Sequence, residues 1–209
     1  MSRSRLVQFL RAKSPWVTLL TVAPLVAVIL GLTACVKHPV GDPEKSKVDP
    51  KLSGVWWQKE TDSATLLFLR PYDARTYYVK SLSYGEQGGE IRPQSQLDGK
   101  AWLTTIGGAA FLTLQPLPCV QIAGLKSEEP PYFVMKTEVA AGTLRLRIVN
   151  GEKEPARSAS SSRELEAVIA KHLEAESLYA GPASVFKKAD DKALITSVLK
   201  AFHLEDGNG

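Results

Sequence analysis

The chain offers two thiols, three imidazoles and a scatter of hydroxyl and carboxylate groups, and their spacing excludes most reactions. Cys35 follows Thr33-Ala34, two small residues that close an uncharged apolar run, a setting for modification of the sulfur rather than for catalysis. Cys119 is the other cysteine. With Cys35 alkylated no intramolecular disulfide is possible, and a lone thiol reads as buried and inert. His38, His172 and His203 are not spaced as zinc ligands. No Gly-x-Ser-x-Gly elbow occurs, and GEQGGE (Gly85 to Glu90) lacks the Lys-Ser/Thr and the following helix of a phosphate loop, so it reads as a turn. Two Ser-x-x-Lys strings, Ser184 to Lys187 and Ser197 to Lys200, lack the companion motifs of penicillin-binding enzymes. The acid pairs Glu128-Glu129 and Asp190-Asp191 read as loop and helix-cap charges. The sequence therefore reads as non-enzymatic, with no metal and no cofactor.

Charge narrows the class further. Of the 26 Lys and Arg residues, Arg3, Arg5, Arg11 and Lys13 precede residue 35, where no acid occurs, and the rest match the 22 Asp and Glu. The excess belongs to a leader, not to a basic patch on a folded surface, so a nucleic-acid partner is not expected.

That leader has the three parts of an export signal: a basic start, an apolar run from Trp16 to Leu32, and a small-residue end before Cys35. The run is also about as long as the roughly 17 to 25 residues of a spanning helix, which leaves an uncleaved anchor as the alternative. Leu32-Thr33-Ala34-Cys35 resembles the lipobox of bacterial lipoproteins. The resemblance implies cleavage between Ala34 and Cys35, a diacylglyceryl group on the Cys35 sulfur and acylation of the new amino end. Two or three chains give a firm membrane anchor where one does not. In that family an Asp after the cysteine retains the protein at the inner membrane, so Val36 implies an outer-membrane lipoprotein facing the periplasm.

The rest divides by composition. Residues 1–34 are the signal and residues 35–50, polar and rich in proline, read as a flexible lipid-anchored tether. Residues 51–209 read as a single domain. Short alternating runs from Gly54 to Val149 predict about eight antiparallel strands, with tight turns at Asp98-Gly99, Gly107-Gly108 and Gly142. Pro93 and Pro116 predict edge or bulged positions. The Pro-rich segment 116–131 is a candidate lid or docking loop by length. From about residue 160 to 205 the period turns helical: Ser161 and Glu164 form a capping box, and Asp190 or Asp191 caps a second helix after a short strand at Ser184 to Lys187. The fold class is mainly β, a small antiparallel barrel or curled sheet with one or two C-terminal helices packed on it.

Gly54-Val55-Trp56 on the first strand resembles the Gly-x-Trp opening of lipocalins, and the order of eight strands, a helix and a ninth strand is similar to theirs. The tail from Ser161 to Lys188 is similar to that of small bacterial lipoproteins with this order of elements. The resemblance implies that Trp56 closes one barrel end, with Arg145 or Arg147 on the last strand stacked on its ring, and that the barrel holds an apolar small molecule. The alternative is an envelope interaction or assembly protein whose barrel is filled; Trp56, Trp102, Tyr78, Phe111 and Phe133 are bulky enough to fill one.

Overall fold

The computed structural model describes residues 35–117 and 132–204. Alternating side chains build eight strands: β1 (Gly54–Lys59), β2 (Ala64–Pro71), β3 (Thr76–Gln87), β4 (Glu90–Ile106), β5 (Ala109–Pro116), β6 (Phe133–Ala140), β7 (Thr143–Ile148) and β8 (Ser184–Lys188). Each pairs antiparallel with the next, and β8 returns to β1 to close the barrel. Helix α1 (Ser162–Lys171) lies in the connection from β7 to β8, and α2 (Lys192–Ala201) follows β8. Every described strand is paired on both sides, although β1 and β8 meet only at Trp56–Lys188 and Trp57–Lys187.

The expected strand count is reached by a different route. Asp98-Gly99 is not a turn but the middle of β4, which runs through both of the strands expected there. The Asp98 carboxylate does not fold back on its own backbone because other side chains hold it. Gln96 Nε2 donates at 2.6 Å, Lys80 Nζ lies 2.9 Å away on the neighbouring strand, and the Tyr78 hydroxyl donates as well. Burial pushes this carboxyl up, but those hydrogen bonds and the Lys80 charge outweigh it and hold the pKa below its ordinary value. Gly99 is needed for a different reason, since a side chain there would collide with Leu114 and the Gln115 carbonyl of β5. The order is thus seven strands, a helix and the eighth strand, in place of eight, a helix and a ninth.

The turns at Gly107-Gly108 and Gly142 form as expected, with positive φ at each glycine, and the β3–β4 hairpin turns on Gly88-Gly89 within GEQGGE. Pro93, opposite Tyr84, sits beside a register shift at Ser83/Tyr84, and Pro116 ends β5. Ser161 Oγ accepts from the Glu164 amide at 3.3 Å and Asp191 Oδ1 from the Leu194 amide at 3.0 Å, so both helices start at the expected caps.

Three apolar clusters follow from the alternation. Inside the barrel lie Trp56, Leu67, Leu69, Tyr77, Val79, Leu112, Leu114, Leu144 and Leu146. On one outer face Phe111, Val134 and Val149 are covered by Leu165 and Ile169 of α1 together with Val36 and Val40. On another, Leu66, Phe68 and Leu82 are covered by Val198 of α2 and its partly buried neighbours.

Residues 35–50 are not a tether. Val36 exchanges backbone hydrogen bonds with Tyr132 at 2.9 and 3.1 Å, and the Val40 carbonyl accepts from Trp102 Nε1 and Thr113 Oγ1. The Ser46 hydroxyl accepts from the Leu103 amide, and Gly41 N donates to Glu166 of α1. The isolated valines among polar residues cover outward-facing aromatics of β4 and β5, so this segment packs on the barrel and belongs with the folded domain expected to begin at residue 51.

Candidate functional site

One barrel end is closed around Trp56. Its indole N–H donates to the Leu52 carbonyl at 2.8 Å, so a large apolar ring is buried with its single donor satisfied. Leu52, Leu69, Tyr77 and Leu144 fill the space beside it. Tyr77 reaches the segment before β1: its hydroxyl accepts from the Asp49 amide at 2.5 Å and donates to the Asp49 carbonyl at 3.0 Å. Burial pushes this phenol up to about 12.

The cation on Trp56 is Lys188, not Arg145 or Arg147. Leu144 and Leu146 of β7 face inward, which turns both arginines outward. Arg147 stacks on Tyr179 instead, 4.1 Å from its ring centroid, and pairs with Glu176. Register places Lys188 of β8 opposite Trp56; Nζ lies 4.4 Å from the ring centroid and donates to the Ser53 carbonyl at 2.5 Å. The Lys188 chain occupies the space a Gly54 side chain would need, which together with φ of +131° explains the glycine of Gly-x-Trp. The signal was available in sequence, because Phe186 facing inward puts Lys188, two residues on, on the same face.

The opposite half of the interior is hollow. A cavity of about 210 Å³ is lined by Leu67, Val79, Leu112, Met135, Leu146 and Phe186 at its floor and walls, with the hydroxyls of Ser81 and Ser184 among them. Leu97, Phe133 and Ile148, which also line it, are only partly buried and form an apolar rim. Phe133 begins β6, Ile148 ends β7 and Ser184 begins β8, so the rim lies at the barrel end remote from Trp56. An apolar hole of about 150 Å³ stays dry and admits benzene; this one suits a single ring or a short run of methylenes rather than a drug-sized ligand.

The barrel is hollow because most of its bulk points the other way. Of the five bulky residues, only Trp56 and Phe133 face inward. Trp102 lies under Val40, Phe111 in the cluster beneath α1, and Tyr78 on Asp98.

Cys35 is half-buried where the chain joins the barrel. Burial first, and then the negative charge of Glu152, pushes its thiol up to about 11. Its carbonyl packs so closely on Gly151 that no side chain fits there. Residues 1–34, with the Ala34 side of the expected cleavage, lie outside the described residues, as do Cys119 and the segment after Leu117 up to residue 131.

The other reactive groups are not brought together. Ser184 and Lys187 fall on opposite faces of β8, and Ser197 and Lys200 are exposed on α2. Asp191 serves as a helix cap. Among the described residues no group of three or more His, Cys, Asp or Glu is placed to hold a metal ion, and no helix is long and apolar enough to cross a membrane.

The class these observations define is a closed eight-stranded antiparallel barrel, capped at one end by a tryptophan under a lysine and carrying a small apolar cavity at the other. Compared with protein-family models, curated proteins and solved structures, the chain matches none.

Proposed function

We propose that this chain is a lipid-anchored cell-envelope protein, held at the outer membrane through Cys35 and facing the periplasm, whose barrel binds a small apolar molecule without transforming it. The observation that carries the binding half is the cavity of about 210 Å³ behind an apolar rim, since an empty apolar volume in a well-packed protein is retained at a cost to stability. The lipobox-like Leu32-Thr33-Ala34-Cys35 behind a basic and then apolar leader supports the anchor. The Gly54-x-Trp56 strand under a stacked cation supports kinship with the lipocalin-like binders.

The test uses the full chain expressed in an exporting bacterium. Detergent-extracted protein should have an intact mass that starts at Cys35 and carries diacylglyceryl and acyl groups. Native mass spectrometry should show a bound apolar molecule, or the purified protein should take up N-phenylnaphthylamine. Leu146→Trp, which fills the cavity, should abolish that uptake while the circular dichroism stays unchanged. Wild-type protein with neither a bound molecule nor probe uptake would sink the binding half.

A further inference from the structure

The anchoring residue and the folded barrel are adjacent, with no spacer between them. Val36, the residue after Cys35, is 4% exposed and hydrogen-bonded in both directions to Tyr132, and Gly151 closes on the Cys35 carbonyl. A tether of about fifteen flexible residues would let a domain wander over roughly 20 Å and tumble; here the chain is pinned at Val36, directly after Cys35.

The pin lies at the cavity end. Tyr132 immediately precedes Phe133, the first residue of β6, and Gly151 follows closely on Ile148, the last of β7. Phe133 and Ile148 are both rim residues of the cavity. Leu117, just beyond the end of β5 at that same end and bonded through its amide to the Asp98 carbonyl, is 37% exposed on the outer face beside the rim. At the opposite end the β2–β3 turn carries Tyr72, exposed, beside Asp73 and Arg75.

We infer that the rim formed by Leu97, Phe133 and Ile148, with Leu117 exposed beside it, docks on the bilayer, and that the cavity takes a segment of acyl chain from it. This rests on the anchor proposed for Cys35. Acyl chains leaving the Cys35 sulfur and amino group enter the membrane beside the rim, so the rim is held against lipid rather than water, and the Trp56 end points away. A half-exposed apolar rim is unfavourable in water and is covered once it meets the bilayer. The ligand then enters the cavity without crossing an aqueous phase.

The test places a photo-crosslinking benzoylphenylalanine at Leu117 or, separately, at Tyr72 in the full exported chain, irradiates native membranes and weighs the intact protein. Phospholipid adducts should form several-fold more at position 117 than at 72. A flexible Gly/Ser spacer inserted between Cys35 and Val36 should erase that contrast while leaving Cys35 acylated. Equal labelling at the two ends, or a contrast that survives the spacer, overturns the docking while acylated Cys35 leaves the anchor standing. An unmodified Cys35 overturns both.

Discussion

The inside of the barrel and its two helix-covered outer faces are built from the same strands, yet they are packed to different ends. Outward-facing Phe111, Trp102 and Phe68 meet helices or the N-terminal segment and are buried. Inward-facing residues are solid around Trp56 and Tyr77 but leave a hollow between Met135, Leu146 and Phe186. The comparison teaches that stability is carried by the Trp56 end and the outer shells, which frees the other half of the interior to hold something else.

Truncation at the solid regions should give the largest effects. Trp56→Ala and Phe111→Ala should each cost about 3–5 kcal/mol, as buried aromatic truncations do, whereas Leu146→Ala, beside an existing hole, should fall at the low end of the range for leucine, about 2 kcal/mol. Urea midpoints at constant slope measure all three. A Leu146 loss as large as that at Phe111 would mean the cavity half carries as much of the fold.

Alkaline pH probes the closed end next. Tyr77 has its folded pKa raised to about 12 by burial, against about 10 when unfolded, so the fold favours the protonated phenol. That stability is fully present below pH 10 and is lost as pH rises toward 12; Tyr84 and Tyr179, also raised by burial, add in the same direction. A difference of about two pH units makes the loss from Tyr77 on the order of 2–3 kcal/mol. Tyr77→Phe should flatten that part of the pH profile, and an unaltered slope would place the alkaline sensitivity elsewhere.

Much of this contrast was legible in the sequence, and the failures have physical causes. The period-two pattern of Leu144, Leu146 and Ile148 and the caps at Ser161 and Asp191 are local signals, and they appear in the fold as read. Asp98-Gly99 has turn chemistry, but Lys80 and Tyr78 of the neighbouring strand, with Gln96 two residues away, capture the carboxylate, and Leu114 needs the glycine's empty space. Val36 and Val40 lie in a segment without a helical or strand period, so nothing local marks them as buried; Tyr132 holds Val36, and Trp102 and Thr113 hold Val40, all more than sixty residues away. The cavity was illegible because it depends on which face each aromatic takes, and a shift of one residue inverts that assignment.

Enlarging residues separates the two regions at a smaller scale. Val134→Phe adds bulk to the closed outer cluster and should cost about 1–3 kcal/mol, while Leu146→Phe enters open space and should cost less than about 1 kcal/mol. Only the second should weaken N-phenylnaphthylamine uptake. Equal penalties would show that the hollow half is as tightly constrained as the shell.

The smallest expected effect asks whether shell and interior are coupled at all. Ser161→Ala and Asp191→Ala each remove one cap hydrogen bond from a helix that touches only the outside of the barrel, and each should cost about 1 kcal/mol. Because the strands between them are hydrogen-bonded around a closed ring, loosening either helix should leave the positions of Met135 and Leu146 unchanged. Probe affinity should then match the wild type in both variants. Affinity that falls with Ser161→Ala but not with Asp191→Ala would instead tie the cavity to the α1 face, where the N-terminal segment from Cys35 is packed.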